Sequence, residues 1–323
     1  MLLPALAILG GFILLVWSAD RFVDGAAATA KHMGLPSLLI GMVIVGFGTS
    51  APEMVVSAMA AMDGNPSLAL GNGLGSNIVN ISLILGTTAI VAPMIVHSKI
   101  IKKEIPLLIA ISLLTGFFLW DLTLTFTESL ILLAGFFTVI GWSIFTALNG
   151  KGDPLEAEFE EELSHAMTLG KALFWLVLGL LVLIGSSRIL VWGSVEIAQQ
   201  LGVSDLIIGL TIVALGTSLP ELAASIVAAK KGEHDIAIGN VIGSNMFNLL
   251  AVIGIAGTIS PMTGLEPEVL WRDWTVMIGL IVLLLLMAYG FGRGHKINRI
   301  EGSVLLSAYI AYNAYLIHSI VGA

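Results

Sequence analysis

Cysteine is absent from the 323 residues of this chain, and charged residues are scarce. Without cysteine there is no disulfide framework and no thiolate metal site. Asp, Glu, Lys and Arg together make up 11% of the sequence, whereas a soluble domain carries about 25%. Hydrophobic residues make up 57%, and the mean hydropathy is +1.00. This composition predicts a polytopic membrane protein, whose surroundings are the lipid bilayer and which has no nucleic-acid partner.

Long apolar runs occupy most of the chain. A spanning helix needs about 20 predominantly apolar residues. The first run has no basic segment before it and no small-residue cleavage signal after it, so we interpret it as a membrane helix. Five runs in each half predict ten transmembrane helices in an all-α fold, at residues 2–19, 35–62, 68–92, 105–120, 127–148, 171–192, 203–229, 236–259, 275–291 and 303–320.

One polar segment separates the two halves. It contains a cluster of glutamates, which predicts a solvated connector. The expected organisation is a first five-helix repeat at residues 1–148, an acidic cytoplasmic linker at 149–168 and a second, inverted five-helix repeat at 169–323. The glutamates of the linker are Glu156, Glu158, Glu160, Glu161 and Glu162.

Lysine and arginine predict the orientation in the membrane, because cytoplasmic loops carry an excess of both. With the N-terminus outside, twelve of the 14 basic residues fall in cytoplasmic loops, and only Arg188 and Arg272 fall outside. We therefore expect a multi-pass protein of the cytoplasmic (inner) membrane with both termini extracytoplasmic.

A hexapeptide occurs twice in the chain, 168 residues apart. Residues 48–53 read Gly-Thr-Ser-Ala-Pro-Glu, and residues 216–221 read Gly-Thr-Ser-Leu-Pro-Glu. The same offset aligns a second motif, Gly-Asn-x-x-Gly-Ser-Asn-x-x-Asn, which begins at Gly71 and again at Gly239. Two tandem units with an odd number of helices must have opposite orientations in the membrane. This is the inverted-repeat plan of secondary transporters, which place the substrate site near the midplane.

The hexapeptides bring costly polar groups into apolar runs. A carboxylate near the bilayer centre costs at least about 2.5–3.5 kcal/mol and marks a functional site by default. Pro52 and Pro220 remove a backbone donor and clash with the preceding turn, so they predict breaks in helices 2 and 7. Broken backbone supplies carbonyl oxygens, and Ca²⁺ takes six to eight oxygen ligands. Glu53 and Glu221 together would neutralise one divalent cation.

Each motif also has a purely structural interpretation. Serine followed three residues later by glutamate, as in residues 50–53 and 218–221, is a capping box with proline near the helix start. In the second motif, glycines four residues apart favour close helix packing, and the amides can hydrogen-bond across a helix interface.

The paired motifs resemble the two alpha repeats of the sodium/calcium exchanger family, in the cation/calcium exchanger superfamily, and the overall pattern is most similar to its short prokaryotic members. The resemblance implies alternating access by movement of helices 1 and 6, with Ca²⁺ and Na⁺ as transported ions and no cofactor. It implies a metal site of two glutamates with hydroxyl, amide and backbone oxygens around them. Carried over by motif position, its residues are Glu53, Glu221, Thr49, Thr217, Ser50, Ser218, Ser76, Ser244, Asn80, Asn248, Gly46 and Ala214.

One position departs from part of that family. Some members carry aspartate where this chain has Asn248, and in the potassium-dependent branch that acid is tied to potassium use. The proton-coupled branch typically has asparagine before the glutamate, where this chain has Pro52 and Pro220. The sequence favours a calcium:sodium antiporter over a proton/calcium or potassium-dependent exchanger, and over a cation channel. An intramembrane enzyme using Ser50 or Ser218 would need a base nearby, and no histidine or lysine is expected at that depth.

Overall fold

The computed structural model describes residues 2–34, 39–64, 66–97, 100–149, 167–200, 214–290 and 295–321. The acidic part of the predicted linker and the start of the predicted seventh helix lie outside these residues. Helices make up most of what is described. They are α1 Leu2–Met33, α2 Gly46–Thr49, α3 Ala51–Met62, α4 Pro66–Val79, α5 Gly86–Val91, α6 Ile105–Phe118, α7 Phe126–Asn149, α8 Leu169–Gln200, α9 Ala214–Thr217, α10 Leu219–Lys230, α11 His234–Phe247, α12 Ile253–Ile259, α13 Thr275–Tyr289 and α14 Arg299–Val321.

Five segments in the described part of the chain are π-helical, with one extra residue per hydrogen-bonded turn. They are Ile40–Val45, Asn80–Leu85, Ile100–Glu104, Asn248–Val252 and Val269–Trp274. Short π-helical segments are rare in proteins, and those that occur are often at functional sites. Two of them begin at Asn80 and Asn248, which the sequence analysis selected as site residues.

Six described helices are long and apolar enough to cross a membrane, and a seventh is added if the bent pair Ile40–Thr49 and Ala51–Met62 forms one span. The six are Leu2–Met33, Leu68–Val91, Phe126–Phe145, Leu169–Ser186, His234–Ile259 and Val269–Tyr289. The protein is therefore a mostly helical membrane protein, as the composition predicts. The count of ten stays a prediction.

Among the residues that the structure describes, two short β contacts occur. Strand β1, Met94–Ile95, pairs antiparallel with strand β2, Lys296–Ile297. An isolated bridge also joins Leu124 and Met262. Both involve residues between helices, where the backbone needs hydrogen-bond partners that a helix no longer supplies.

The chain divides into two compact units, each of which combines segments of both sequence halves. The first comprises Met1–Glu53 and Ala134–Gly243. In it, α1 packs antiparallel along α8. A side chain at Gly193 would collide with the carbonyl oxygen of Pro4, one at Gly179 with the backbone of Phe22, and one at Gly25 with the backbone of α8. Small residues at these points let the two backbones approach closely.

α1 is longer than the predicted span at residues 2–19. Asp20 and Asp24 continue the helix to Met33 instead of ending it. Lys231, just after α10, lies 2.7 Å from a carboxylate oxygen of each. The paired charges are partly exposed, so their stabilising effect is modest. The pairing nevertheless lets the charged turn of α1 pack against the end of α10.

The second unit comprises Met54–Leu133 and Ser244–Ala323. α14 packs against α5, where the paired glycines Gly86 and Gly302 face each other's backbone. α13 packs against α6, and the indole nitrogen of Trp274 donates to the carbonyl oxygen of Ser112 at 2.8 Å. The domain boundaries predicted from the repeat describe sequence halves rather than these units, and they stay a prediction.

Gly179→Val is expected to lower the free energy of unfolding by about 1–3 kcal/mol, as overpacking typically does. The reason is that the new Cβ would lie 2.8 Å from the Cα of Phe22. Gly185→Val, on the same helix, is the control, because a Cβ there meets nothing within 4 Å. Thermal unfolding of the two variants in detergent measures the difference, and equal stability would contradict the close packing of α1 on α8.

Candidate cation site

The predicted breaks are present, two residues before each proline. Ser50 separates α2 from α3 with φ −82° and ψ 0°, and Ser218 separates α9 from α10 with φ −91° and ψ 7°. The bend at the first break is 45°. Proline is tolerated in the first turn of the following helix because that turn has no intrahelical acceptor for its N–H groups. The prolines thus start the second half-helices, and the serines form the breaks.

The first unit brings the two predicted glutamates together. Glu53 and Glu221 are each 1% exposed. The Ser50 hydroxyl donates to Oε1 of Glu221 at 3.2 Å, and the Ser218 hydroxyl donates to Oε1 of Glu53 at 3.4 Å. Each carboxylate therefore accepts a hydrogen bond from the serine of the other hexapeptide. Ser218 makes no side-chain cap, so the capping-box interpretation does not describe its hydroxyl.

The threonines of the hexapeptides lie beside the same carboxylates. Thr217 is a hydrogen-bonding neighbour of Glu53, and Thr49 is one of Glu221. Oε2 of Glu221 is buried and has no hydrogen-bond partner among the described residues. A buried oxygen of this kind calls for an explanation, and an ion supplies one. The hydroxyl donors around the two carboxylates thus leave one buried oxygen of Glu221 without a hydrogen-bond partner among the described residues.

Gly46 and Ala214, the predicted carbonyl donors, lie at the starts of the short helices α2 and α9. Gly46 is buried, and its carbonyl oxygen accepts from the backbone N–H of Ser50 at 3.0 Å. Both residues therefore precede the breaks by less than two turns, in the first unit.

The second unit holds a cluster of four buried asparagines. The amide of Asn80 donates to Oδ1 of Asn245 at 3.0 Å, and the amide of Asn248 donates to Oδ1 of Asn77 at 3.1 Å. The 168-residue offset of the repeats relates these two hydrogen bonds to each other. Within the described part of the chain, Oδ1 of Asn80 and Oδ1 of Asn248 have no hydrogen-bond partner. Both oxygens are therefore available to a further donor or a cation.

Ser76 and Ser244 also belong to the second unit and are 5% and 0% exposed. The structure thus distributes the predicted residues over both units. The first holds the glutamates, threonines, Ser50, Ser218, Gly46 and Ala214, and the second holds the remaining serines and asparagines. That Ser76, Ser244, Asn80 and Asn248 bind ions stays a prediction.

Asn240 is the first asparagine in the second copy of the glycine-asparagine motif. This residue is fully buried, and its amide donates to the carbonyl oxygen of Glu221 at 3.2 Å and to Ser225 Oγ at 2.9 Å. Its Oδ1 faces the Thr49 hydroxyl at 3.1 Å. The aligned residues Asn72 and Ser57 make the same amide-to-hydroxyl contact, at 2.9 Å. The serine contact of Asn240 therefore recurs in the first copy of the motif.

The donor set indicates the kind of ion. No group of three or more His, Cys, Asp or Glu side chains within the described residues is placed to hold a metal. Any ion held here must use two carboxylates together with hydroxyl and backbone oxygens. A set of hard oxygen ligands, most of them uncharged, suits Ca²⁺ and similar hard cations rather than transition metals.

An apolar groove lies near the first break. It belongs to the first unit and offers almost no polar surface. It adjoins Gly48, against which the Leu180 side chain packs. Its lining offers no oxygen cluster for an ion, so the candidate site is the buried glutamate pair and not this groove. Its lining includes Val43, Ile44, Phe47, Leu176, Leu180 and Leu181.

Membrane-length helices around buried carboxylates, with helix breaks beside them, define a class of protein: a polytopic membrane protein with an oxygen-rich centre. The sequence model described as "Sodium/calcium exchanger protein" matches residues 3–145 and 171–318, and the chain belongs to this family. Its members are membrane exchangers rather than enzymes, and the chain is accordingly a calcium/cation antiporter.

Similar proteins cover the chain almost completely. CaxA of Alkalimonas amylolytica is 47% identical over 320 residues, which are 99% of this chain and 100% of that protein. The sodium/calcium exchanger MaX1 of Methanosarcina acetivorans is 29% identical over 351 residues, covering 97% of this chain and 98% of its own. The solved structure of the sodium-calcium exchanger NCX_Mj, soaked with 10 mM Na⁺ and zero Ca²⁺, matches with a TM-score of 0.83 and 30% identity, over 97% of this chain and 98% of that one.

Asn248→Asp is expected to destabilise the second unit by about 1–3 kcal/mol, the cost of leaving buried partners unsatisfied. Aspartate cannot donate to Oδ1 of Asn77, which the Asn248 amide contacts at 3.1 Å, so two acceptors would face each other. Thermal unfolding in detergent measures the change. Asn313→Asp on α14 is the control, because the Asn313 amide only adds to a helical carbonyl, that of Tyr309. An Asn248→Asp protein as stable as the control would contradict the amide pairing.

Proposed function

We propose that the chain is a calcium:sodium antiporter of the cytoplasmic membrane that works by alternating access at the Glu53–Glu221 site. The observation that carries this proposal is the buried pair of carboxylates, each bonded to the serine at the opposite helix break. Membership of the exchanger family and the similarity to MaX1 and NCX_Mj, both of which are named as sodium/calcium exchangers, support the choice of ions.

The charge of the site favours this exchange. Two carboxylates balance one Ca²⁺, and the hydroxyl and carbonyl oxygens around the breaks supply the further ligands that Ca²⁺ requires. Na⁺ is also a hard cation and competes for the same oxygens. In the proposal, Glu53, Glu221, Ser50, Ser218 and the backbone carbonyl oxygens of Thr49, Thr217, Gly46 and Ala214 bind the ions, with Ser76, Ser244, Asn80 and Asn248 as further ligands.

Obligatory exchange follows from the same charges. If the ions leave and nothing replaces them, two buried negative charges remain where water is scarce, and isolated buried charges are strongly unfavourable. The protein would then resist changing its accessible side until a new ion binds. In the proposal, the first and sixth helices, α1 and α8, carry that movement.

The inverted arrangement of two five-helix repeats belongs to this proposal. It is supported by hydrogen bonds that recur in reciprocal pairs under the 168-residue offset. Ser50 to Glu221 maps onto Ser218 to Glu53. In the second unit, Asn80 to Asn245 maps onto Asn248 to Asn77. Reciprocal contacts of this kind are what a pseudo-two-fold axis between repeats generates.

Purified protein in liposomes should take up ⁴⁵Ca²⁺ when an outward sodium gradient is imposed. Glu53→Gln and Glu221→Gln should each reduce uptake to that of protein-free liposomes, because a single remaining carboxylate leaves Ca²⁺ incompletely neutralised at a buried site. Glu266→Gln is the charge-matched control, because Glu266 is exposed and outside the site, and it should transport like the wild type.

The assay separates the alternatives. Uptake driven by a pH gradient without sodium would replace the proposal with proton/calcium exchange, and a strict requirement for K⁺ would replace it with potassium-dependent exchange. Calcium flux that needs no counter-ion gradient would indicate a channel. Uptake that survives both glutamate substitutions would overturn the assignment of the site.

The proposed orientation places both termini outside and can be tested across one span, Val269–Tyr289. Because the chain contains no cysteine, single cysteines report cleanly. Glu266→Cys should react with a membrane-impermeant maleimide in intact cells, and Lys296→Cys should react only after permeabilisation. Both positions are exposed in the structure. The reverse pattern would invert the predicted topology.

A further inference from the structure

Asn240 connects the two hexapeptides within the first unit. From α11, its side chain contacts Thr49 beside the first break and the backbone of Glu221 beyond the second, and it also contacts Ser225. It is fully buried. Buried side-chain networks of this kind fix one geometry when every member is satisfied. Asn240 uses both amide hydrogens and its oxygen.

The Thr49 hydroxyl has one proton and several acceptors within reach. Oγ1 lies 3.1 Å from Oδ1 of Asn240, 3.0 Å from the carbonyl oxygen of Val45 and 3.4 Å from that of Gly46. The carboxylate of Glu221 is also nearby. A hydroxyl donates one hydrogen bond at a time. When an ion occupies Glu221, the carboxylate is engaged, and Asn240 is then the side-chain acceptor that competes with the two carbonyl oxygens.

The choice of acceptor affects ion binding. If Thr49 donates to Asn240, the carbonyl oxygens of Val45 and Gly46 keep a lone pair for a cation. The Gly46 carbonyl oxygen already accepts a hydrogen bond from the N–H of Ser50, so only its second lone pair can bind a cation. If Thr49 donates to these carbonyl oxygens instead, their capacity to bind an ion falls.

We infer that Asn240 is a positioning residue that accepts the Thr49 hydrogen bond and thereby keeps the Val45 and Gly46 carbonyl oxygens available to sodium. This inference rests on the proposed function, in which the Gly46 carbonyl oxygen binds the transported ions. Ca²⁺ gains more from the two carboxylates than the singly charged Na⁺ does, and Na⁺ therefore depends more on the neutral carbonyl oxygens. Loss of Asn240 should weaken sodium binding more than calcium binding.

The experiment compares Asn240→Leu, which removes the acceptor, with the double variant Asn240→Leu/Thr49→Val, which also removes the competing proton. In proteoliposomes, Asn240→Leu should raise the Na⁺ concentration for half-maximal exchange by about tenfold, as loss of a partner that orients an ion ligand typically does. The Ca²⁺ concentration for half-maximal exchange should stay close to that of the wild type. Adding Thr49→Val should restore the sodium value, because nothing then competes for the carbonyl oxygens.

Two further variants refine the test. Asn240→Asp keeps an acceptor for Thr49 and loses both donors, so it should bind sodium better than Asn240→Leu does. Asn313→Leu on α14 removes an amide whose partner is the Tyr309 carbonyl and should leave both half-saturation values unchanged. Each variant is first compared with the wild type by thermal unfolding. The rise in unfolding temperature that Na⁺ causes in each variant then measures sodium binding without requiring transport.

Three outcomes would overturn the inference: an unchanged sodium value in Asn240→Leu, a parallel rise of the sodium and calcium values, or no recovery in the double variant. The first two would show that Asn240 is dispensable or that it supports the glutamates themselves. These results are distinguishable from failure of the proposed function, in which the wild-type protein itself shows no sodium-dependent calcium flux and no stabilisation by sodium.

Discussion

The structure of the first unit depends on one constraint: two carboxylates are buried in a membrane protein, and each needs compensation. The chain meets it by breaking two helices at serine and aligning each hydroxyl with the glutamate of the other repeat. The breaks thus place both serines where their hydroxyls reach the carboxylates. Non-helical backbone within a membrane is stable only where it is buried in protein or lines a cavity. Both serines are buried.

Much of this centre was predictable from the sequence, because its signals are strong and duplicated. An acid, a proline and two hydroxyls in an apolar run are costly in a membrane, and finding them twice at one offset indicated a shared site. The position of the breaks was less predictable. Proline indicates that a helix is interrupted, but a proline also starts helices well. Here Pro220 lies in the first turn of α10, and the break falls at Ser218.

Other features depend on tertiary partners that the sequence does not display. The charges of Asp20 and Asp24 mark the end of the apolar run, yet α1 continues past them, and Lys231, more than 200 residues away in the sequence, pairs with both. Asn240 belongs to a recognisable motif, but the Thr49 hydroxyl beside its amide oxygen comes from 191 residues away in the sequence. The π-helical turns at Asn80 and Asn248 also have no local sequence signal, because one extra residue in a helical turn leaves no mark on the amino-acid composition.

The length of α1 and α8 has a mechanical consequence. Each helix has 32 residues, about 48 Å at 1.5 Å per residue, whereas the hydrocarbon core is about 30 Å thick. Their backbones meet near both ends, at Pro4 with Gly193 and at Gly25 with α8. Two antiparallel rods joined in this way are far stiffer than one, so a displacement at one membrane surface reaches the other. If the pair moves as the proposed mechanism requires, its two ends move together.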